Sequence, residues 1–155
     1  MASGYGTTSE AFTIDPRATE GTIGRRLLAY VVDIIVVSVI MMVLWLFIAL
    51  VGLITFGFGW VLFALLPLTA IAYNAITIGG PSQATLGMRL AGVRMIDAAS
   101  GGPVPMVTAA VHALLFYVAL STFLLWAIDI IVGLARADHR FGHDVLTGLA
   151  AIRSS

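Results

Sequence analysis

The first chemistry this chain offers lies in ionisable residues set inside apolar sequence. Asp33 interrupts the apolar run that begins at Leu27, and Arg26 stands seven positions before it. In a helix that spacing puts both on one face, about 10 Å apart along the axis, with Ala29 between them. A charge within a membrane segment costs several kcal/mol unless it is paired or hydrated. Asp33 is therefore half of a buried ion pair, a protonatable site facing a bundle interior, or a hydrogen-bonded group that locks packing at the wet end of its helix. The small side chain of Ala29 lets Arg26 reach down that stripe, or lets another helix approach closely.

Other polar groups in apolar surroundings are weighed the same way. Asn74, with Tyr73 beside it and Thr77 close by on the helix surface, is expected to hydrogen-bond a neighbouring helix rather than bind a solute. Asp129 sits about one and a half turns before the end of its apolar block, with Arg136 or Arg140 as expected partners. His112 is expected as an interfacial, hydrogen-bonded histidine, with a proton relay as its functional alternative. His139 and His143 are four apart, a spacing that chelates a metal from one helix face, with Asp138 and Asp144 as the nearby extra ligands. Gly142 weakens a helix there, and no cysteine or third histidine is near in sequence, so no metal site and no cofactor are expected. No Gly-x-Ser-x-Gly, phosphate loop or dinucleotide fingerprint is present, and no nucleophile, base and orienting group line up, so an enzyme is not expected.

The elements that must position these residues are apolar. Of 155 residues, 60% are hydrophobic and 10% charged, and the mean hydropathy is +1.05. An ordinary soluble domain carries about 25% charge, so this composition excludes a soluble enzyme or nucleic-acid module. Eight arginines (there is no lysine) balance eight acidic residues, leaving no net field to attract nucleic acid. Cysteine is absent, which excludes disulfides and thiolate chemistry.

Three apolar blocks organise the chain as an all-α integral membrane protein. A polar tail, residues 1–26, carries Glu10, Asp15, Arg17, Glu20, Arg25 and Arg26; Gly4, Gly6 and the Ser/Thr cluster suggest little structure before Phe12. It is too long and acidic for a secretory signal, so it is expected to stay on one membrane face. Residues 27–56 and 60–78 are each long enough to cross a bilayer, and Thr55–Gly59 is a tight turn, so the two read as an antiparallel helical hairpin. Trp60 at that turn fits an interfacial anchor. Residues 79–106 form a Gly/Pro-containing polar loop, long for its setting, in which Arg94–Asp97 reads as a short extended stretch leading into the turn Ser100–Pro103. The third block, residues 107–135, would be about 42 Å as one helix, longer than the ~30 Å hydrocarbon core.

Arginine placement leaves the third block open. Arg17, Arg25 and Arg26 put the N-terminus in the cytoplasm, and Arg89 and Arg94 return there. A single third span would strand Arg136, Arg140 and Arg153 outside; a block that dips in and returns keeps all eight arginines inside. Before Gly133 the block offers only Ser121-Thr122 as a place to turn. An interior C-terminal tail is the favoured reading.

Three stretches together resemble the RDD family of small bacterial membrane proteins, named for one arginine and two aspartates. They are Arg26-Leu-Leu-Ala29-Tyr-Val-Val-Asp33, then Thr85-Leu-Gly87-Met-Arg89-Leu-Ala-Gly92-Val-Arg94-Met-Ile-Asp97, then Arg140-Phe-Gly-His143-Asp144-Val-Leu-Thr-Gly148. The resemblance covers about residues 21–153 in order, with a membrane domain over 27–153. Met88 and Ala91 depart from it, standing where a basic residue and a larger apolar residue are common. The resemblance implies a multi-pass inner-membrane protein with a cytoplasmic N-terminus and an Arg/Asp set at Arg26, Asp33 and Asp144. Ala29, Asn74, Arg89, Asp129, Arg140 and His143 are supporting positions. Two functions follow as expectations. One is transport of an ion, proton or small solute by a homo-oligomer, with Arg26, Asp33 and Asp144 gathered near the cytoplasmic face. The other is an accessory or assembly subunit of a larger membrane complex, with the same set as a structural clasp.

Overall fold

The computed structural model describes residues 12–154; Gly4, Gly6 and Glu10 of the expected tail lie outside the described residues. The described residues are mostly helical (68%). After a four-residue helix α1 (Pro16–Thr19), capped by Asp15 accepting from the Arg17 N–H, comes α2 (Thr22–Ile54). Helix α2 begins before the apolar block, so Arg25 and Arg26 belong to its first two turns rather than to a loose tail. Both are tied down: Arg25 donates to the Ala91 carbonyl (2.8 Å) and Arg26 to Asp144. At 33 residues α2 is about 50 Å long. Its most apolar 18 residues have a mean hydropathy of 3.2 and are 6% buried, so its surface demands lipid or another helix.

The second apolar block is not one continuous helix. After a turn at Phe56 and Gly57, the chain runs as a 3-10 helix (Phe58–Leu65) and then as α3 (Leu68–Ile78), the two bent by 53°. Pro67 stands at the bend, where its missing N–H and its ring forbid a straight α-helix through that position. The 3-10 segment packs along α2, while α3 leans mainly on α5 (Met106–Ser121). The third block is also two helices. Thr122, with φ −124° and ψ 110°, separates α5 from α6 (Phe123–Ala135), the break falling at Ser121-Thr122. His112 on α5 and Asp129 on α6 both meet His143, so the two limbs double back towards one end of the molecule.

At that end the polar segments fold together. The loop after α3 contains α4 (Leu86–Ala91), started by Thr85 accepting from the Met88 N–H, and β1 (Val93–Asp97). The C-terminal segment forms α7 (Gly142–Thr147) and β2 (Leu149–Arg153). The two strands pair antiparallel, Val93 opposite Arg153 and Asp97 opposite Leu149, adding a two-stranded sheet to the expected helical architecture. Gln83 organises the remainder of the loop. Its side-chain carbonyl accepts from the Val104 N–H, its amide donates to the Gly80 carbonyl (2.7 Å), and its own carbonyl accepts from Met95 (2.8 Å). The buried core sits here, where Ile78, Met95, Val104, Ala109, Leu149 and Ala151 pack together. The eight arginines lie on α1, at the start of α2, on α4 and the two strands, or in the connection between α6 and α7.

Candidate functional site

Asp144 is the centre of the buried polar set. It is the third residue of α7, fully buried, and its carboxylate accepts from the Phe141 N–H at the start of its own helix (2.9 Å). Arg26 reaches it from α2 in a fork. Nη2 donates to Oδ1 at 2.9 Å and Nη1 to Oδ2, while the guanidinium stacks 4.2 Å from the centre of the Phe141 ring. His112 Nε2 lies 2.8 Å from Oδ1 and His143 Nε2 3.5 Å from the same oxygen. Burial on its own raises the Asp144 carboxyl, but the Arg26 charge, the His112 bond and the field of His143 outweigh it. The carboxyl is held well below the usual carboxylate range.

Asp129 extends this set through His143. Its carboxylate takes the His143 backbone N–H (2.8 Å) and faces the ring Nδ1 from both oxygens (2.9 and 2.8 Å). The expected partners of Asp129 are elsewhere. Arg136 forks onto Asp138 at the surface (2.8 and 2.7 Å), and Arg140 donates to the Leu149 and Asp144 carbonyls (2.7 and 3.3 Å). The reason is geometric: α6 ends at Ala135, and the chain must turn through Asp138 to start α7, which brings His143 rather than an arginine against Asp129. Gly133 makes room for the join, since a Cβ there would lie 2.1 Å from the Phe141 ring.

Asp33 does not join the Arg26–Asp144 pair. It is held instead by three neutral donors: Tyr73 Oη (2.7 Å), Thr85 Oγ1 (2.6 Å) and the Gly87 N–H (2.9 Å). Tyr73 in turn accepts from the Leu86 N–H at 3.0 Å. Helix α4 can come this close only because residue 87 is glycine, for a Cβ there would sit 2.1 Å from the Ala29 carbonyl oxygen. Ala29 is therefore the floor on which α4 rests rather than a gap through which Arg26 descends to Asp33. Asn74 donates to the Ala70 carbonyl (2.9 Å) and to Tyr117 Oη (3.4 Å), linking α3 to α5. Arg89 is exposed in the last turn of α4 and has no side-chain partner among the described residues.

The two carboxylate clusters share one space. A cavity of about 330 Å³ is lined by Arg26, Asp33, Asn74, His112, Tyr117, Asp129 and His143, together with apolar side chains of α2, α5 and α6. Its fixed charges are unbalanced. Arg26 brings one guanidinium against the carboxylates of Asp33 and Asp129 on the lining and of the adjacent Asp144. His112, His143 and Asp144 also offer one ligand atom each within 4.8 Å of one another, whereas His139, the expected chelating partner of His143, is not in that group. The weight of His112 was hidden in the sequence, where its partner is 32 positions away. Tyr73 and Thr85 likewise reach Asp33 across 40 and 52 positions.

The sequence model of the RDD family matches residues 21–148, an interval that contains Arg26, Asp33 and Asp144. No curated protein and no solved structure matches the chain.

Proposed function

The chain belongs to the RDD family, whose match covers most of its length, and its family and apolar helices mark it as a membrane protein. On that premise we propose that it moves an ion or small solute across the bacterial inner membrane as a homo-oligomer, and that it is not an enzyme. The observation that carries this reading is the cavity among the helices, lined by two carboxylates, Asp33 and Asp129, and by one guanidinium, Arg26, which is itself paired with Asp144. An uncompensated carboxylate in a low-dielectric setting is expensive, so excess negative charge there is a place for a cation or proton. Asp33 is the residue on which this rests most directly, because its bonded partners are all neutral.

Membrane placement follows from the arginines. Their gathering at the end that holds the sheet, α4 and α7 favours a cytoplasmic base, with the N-terminus and the C-terminal tail on that side. In this arrangement α2 spans, the bent pair of the 3-10 helix and α3 returns, and α5–α6 is re-entrant. A single copy is too small to enclose a pathway, and the uncovered apolar face of α2 gives a second copy or lipid a surface to meet. The test is cation–proton exchange in proteoliposomes carrying an internal pH dye. Exchange by the wild-type chain that falls to background in Asp33→Asn supports the reading, and exchange unchanged by that substitution removes Asp33 from it.

A second reading is favoured by a different observation. Leu90 on α4 and Leu146 on α7 are each 77% exposed, on short helices of the otherwise polar base. As an accessory subunit of a larger membrane complex, the chain would dock through these residues, with the Arg26–Asp144–His112 set as the clasp that keeps α7 in place. Co-purification of a stoichiometric membrane partner in mild detergent, lost in Leu90→Glu or Leu146→Glu, would decide for it over transport.

A further inference from the structure

We propose that His112, His143 and Asp144 form a binding site for a divalent transition-metal ion of the zinc type, open on one side to the cavity. The inference deepens the transport reading and names the class of ion for that same cavity. Two helical segments supply the ligands: His112 from α5, and His143 and Asp144 from the first turn of α7. The ligand atoms lie within 4.8 Å of one another, with Asp144 Oδ1 at 2.8 Å from His112 Nε2 and 3.5 Å from His143 Nε2. Ligand atoms of a tetrahedral zinc site at bond lengths near 2.0–2.1 Å are separated by about 3.3 Å, and these two separations straddle that value.

One further observation points to a ligand between these atoms, and a second fixes the ring that faces them. Asp129 sits 2.8 Å from His143 Nδ1, the arrangement in which a carboxylate takes the far ring N–H and leaves Nε2 as a metal-ligating nitrogen. His112 is 4% exposed, and its Nδ1 is buried with no hydrogen-bond partner in the described structure. An orphaned ring nitrogen is a cost, so the pose of the ring is dictated by what Nε2 faces. Nε2 faces the Oδ1 of Asp144. The donor set of two imidazoles and one carboxylate suits zinc or a neighbouring first-row divalent ion better than calcium or magnesium, which prefer oxygen. The surroundings are acidic as well, since Asp33, Asp129 and Asp144 outnumber the Arg26 guanidinium there. Three protein ligands leave a fourth position towards the cavity that His112 and His143 line, as in sites that exchange water or substrate rather than in closed structural ones.

The test is a Co²⁺ titration of the tag-free full chain in lipid nanodiscs after chelator treatment, read by visible absorption. The expected result is one Co²⁺ per chain with the intense d–d bands of a low-coordinate site, displaced by Zn²⁺. His112→Gln and His143→Gln should weaken binding at least tenfold, Asp129→Asn about 10- to 100-fold, and His139→Gln should leave it unchanged. X-ray absorption on the wild-type chain, which does not depend on the folding of any variant, should show two imidazole ligands. No saturable binding, an all-oxygen shell, or binding that requires His139 would overturn the site. A chain that exchanges monovalent cations but binds no Co²⁺ overturns the metal site and leaves transport standing. A chain that binds Co²⁺ through these histidines but carries no flux upholds the site and overturns transport.

Discussion

The two ends of this molecule bury opposite kinds of residue. At the base, Leu149, Met95 and Ile78 are fully buried beside a fully buried Asp144 and an Arg26 that is 8% exposed. Along the far part of α2 and the turn beyond it, Leu53, Ile54, Phe56 and Phe58 are between 68% and 96% exposed. The base is a small globular core of the ordinary kind, stapled by charge. The shaft has almost no core and presents its apolar surface to whatever solvent surrounds it. The difference teaches that stability within the chain is concentrated where the polar segments meet, while the shaft depends on lipid.

Substitutions at the base should reveal this most strongly. Asp144→Asn leaves the Arg26 guanidinium buried and short of its counter-charge, so unfolding in detergent should lose about 3–5 kcal/mol. A double substitution of Arg26→Met with Asp144→Leu should recover much of that loss, because no unpaired charge then remains. The same carboxylate sets a pH dependence. Its folded value lies well below its unfolded value near 3.9, so its contribution is present above that unfolded value and is lost as pH falls through the folded one. Thermal unfolding followed from pH 6 down to pH 3 should steepen in the wild type below about pH 4, and less so in Asp144→Asn.

Packing substitutions sharpen the comparison further. Leu149→Ala, in the base core, should cost about 2–5 kcal/mol. Gly87→Ala should cost about 1–3 kcal/mol, since the new methyl must displace α4 from the Ala29 carbonyl and disturb the Asp33 bonds. Leu53→Ala, on the shaft, should change the unfolding free energy by no more than about 0.5 kcal/mol, because the removed methyls contact no core. A Leu53→Ala cost equal to that of Leu149→Ala in denaturant titrations would show that the shaft has a partner surface in the folded state and would break the comparison.

Local signals made much of this legible. The apolar composition of residues 27–54, whose one charge is Asp33, marks a membrane helix without reference to anything else in the chain. Arg94–Asp97 reads as a short extended stretch leading into a Gly/Pro turn, and it falls within β1. With no Gly or Pro before Gly133, Ser121-Thr122 is the place at which the third block could turn, and the helix breaks there. Pro67 removes the donor a straight helix requires, and the second block, expected as one span, bends there by 53°. The link from β1 to the C-terminal strand was not legible at all, since pairing between segments some 50 residues apart leaves no local pattern.

The same division runs through the site. Sequence alone determined that Asp33 and Asp129 are charges in apolar surroundings, because the cost of burying a charge depends on residue type and local hydropathy. It also determined the helical nature of the blocks that carry them, since helical periodicity and apolar length are properties of short windows. Only the tertiary structure decided the partners. Arg26 pairs with Asp144 across 118 positions, Asp33 is satisfied by Tyr73, Thr85 and Gly87, and Asp129 meets His143 rather than an arginine. Charge attracts any opposite charge within reach, and reach is set by how the limbs of the third block double back and where the last strand pairs.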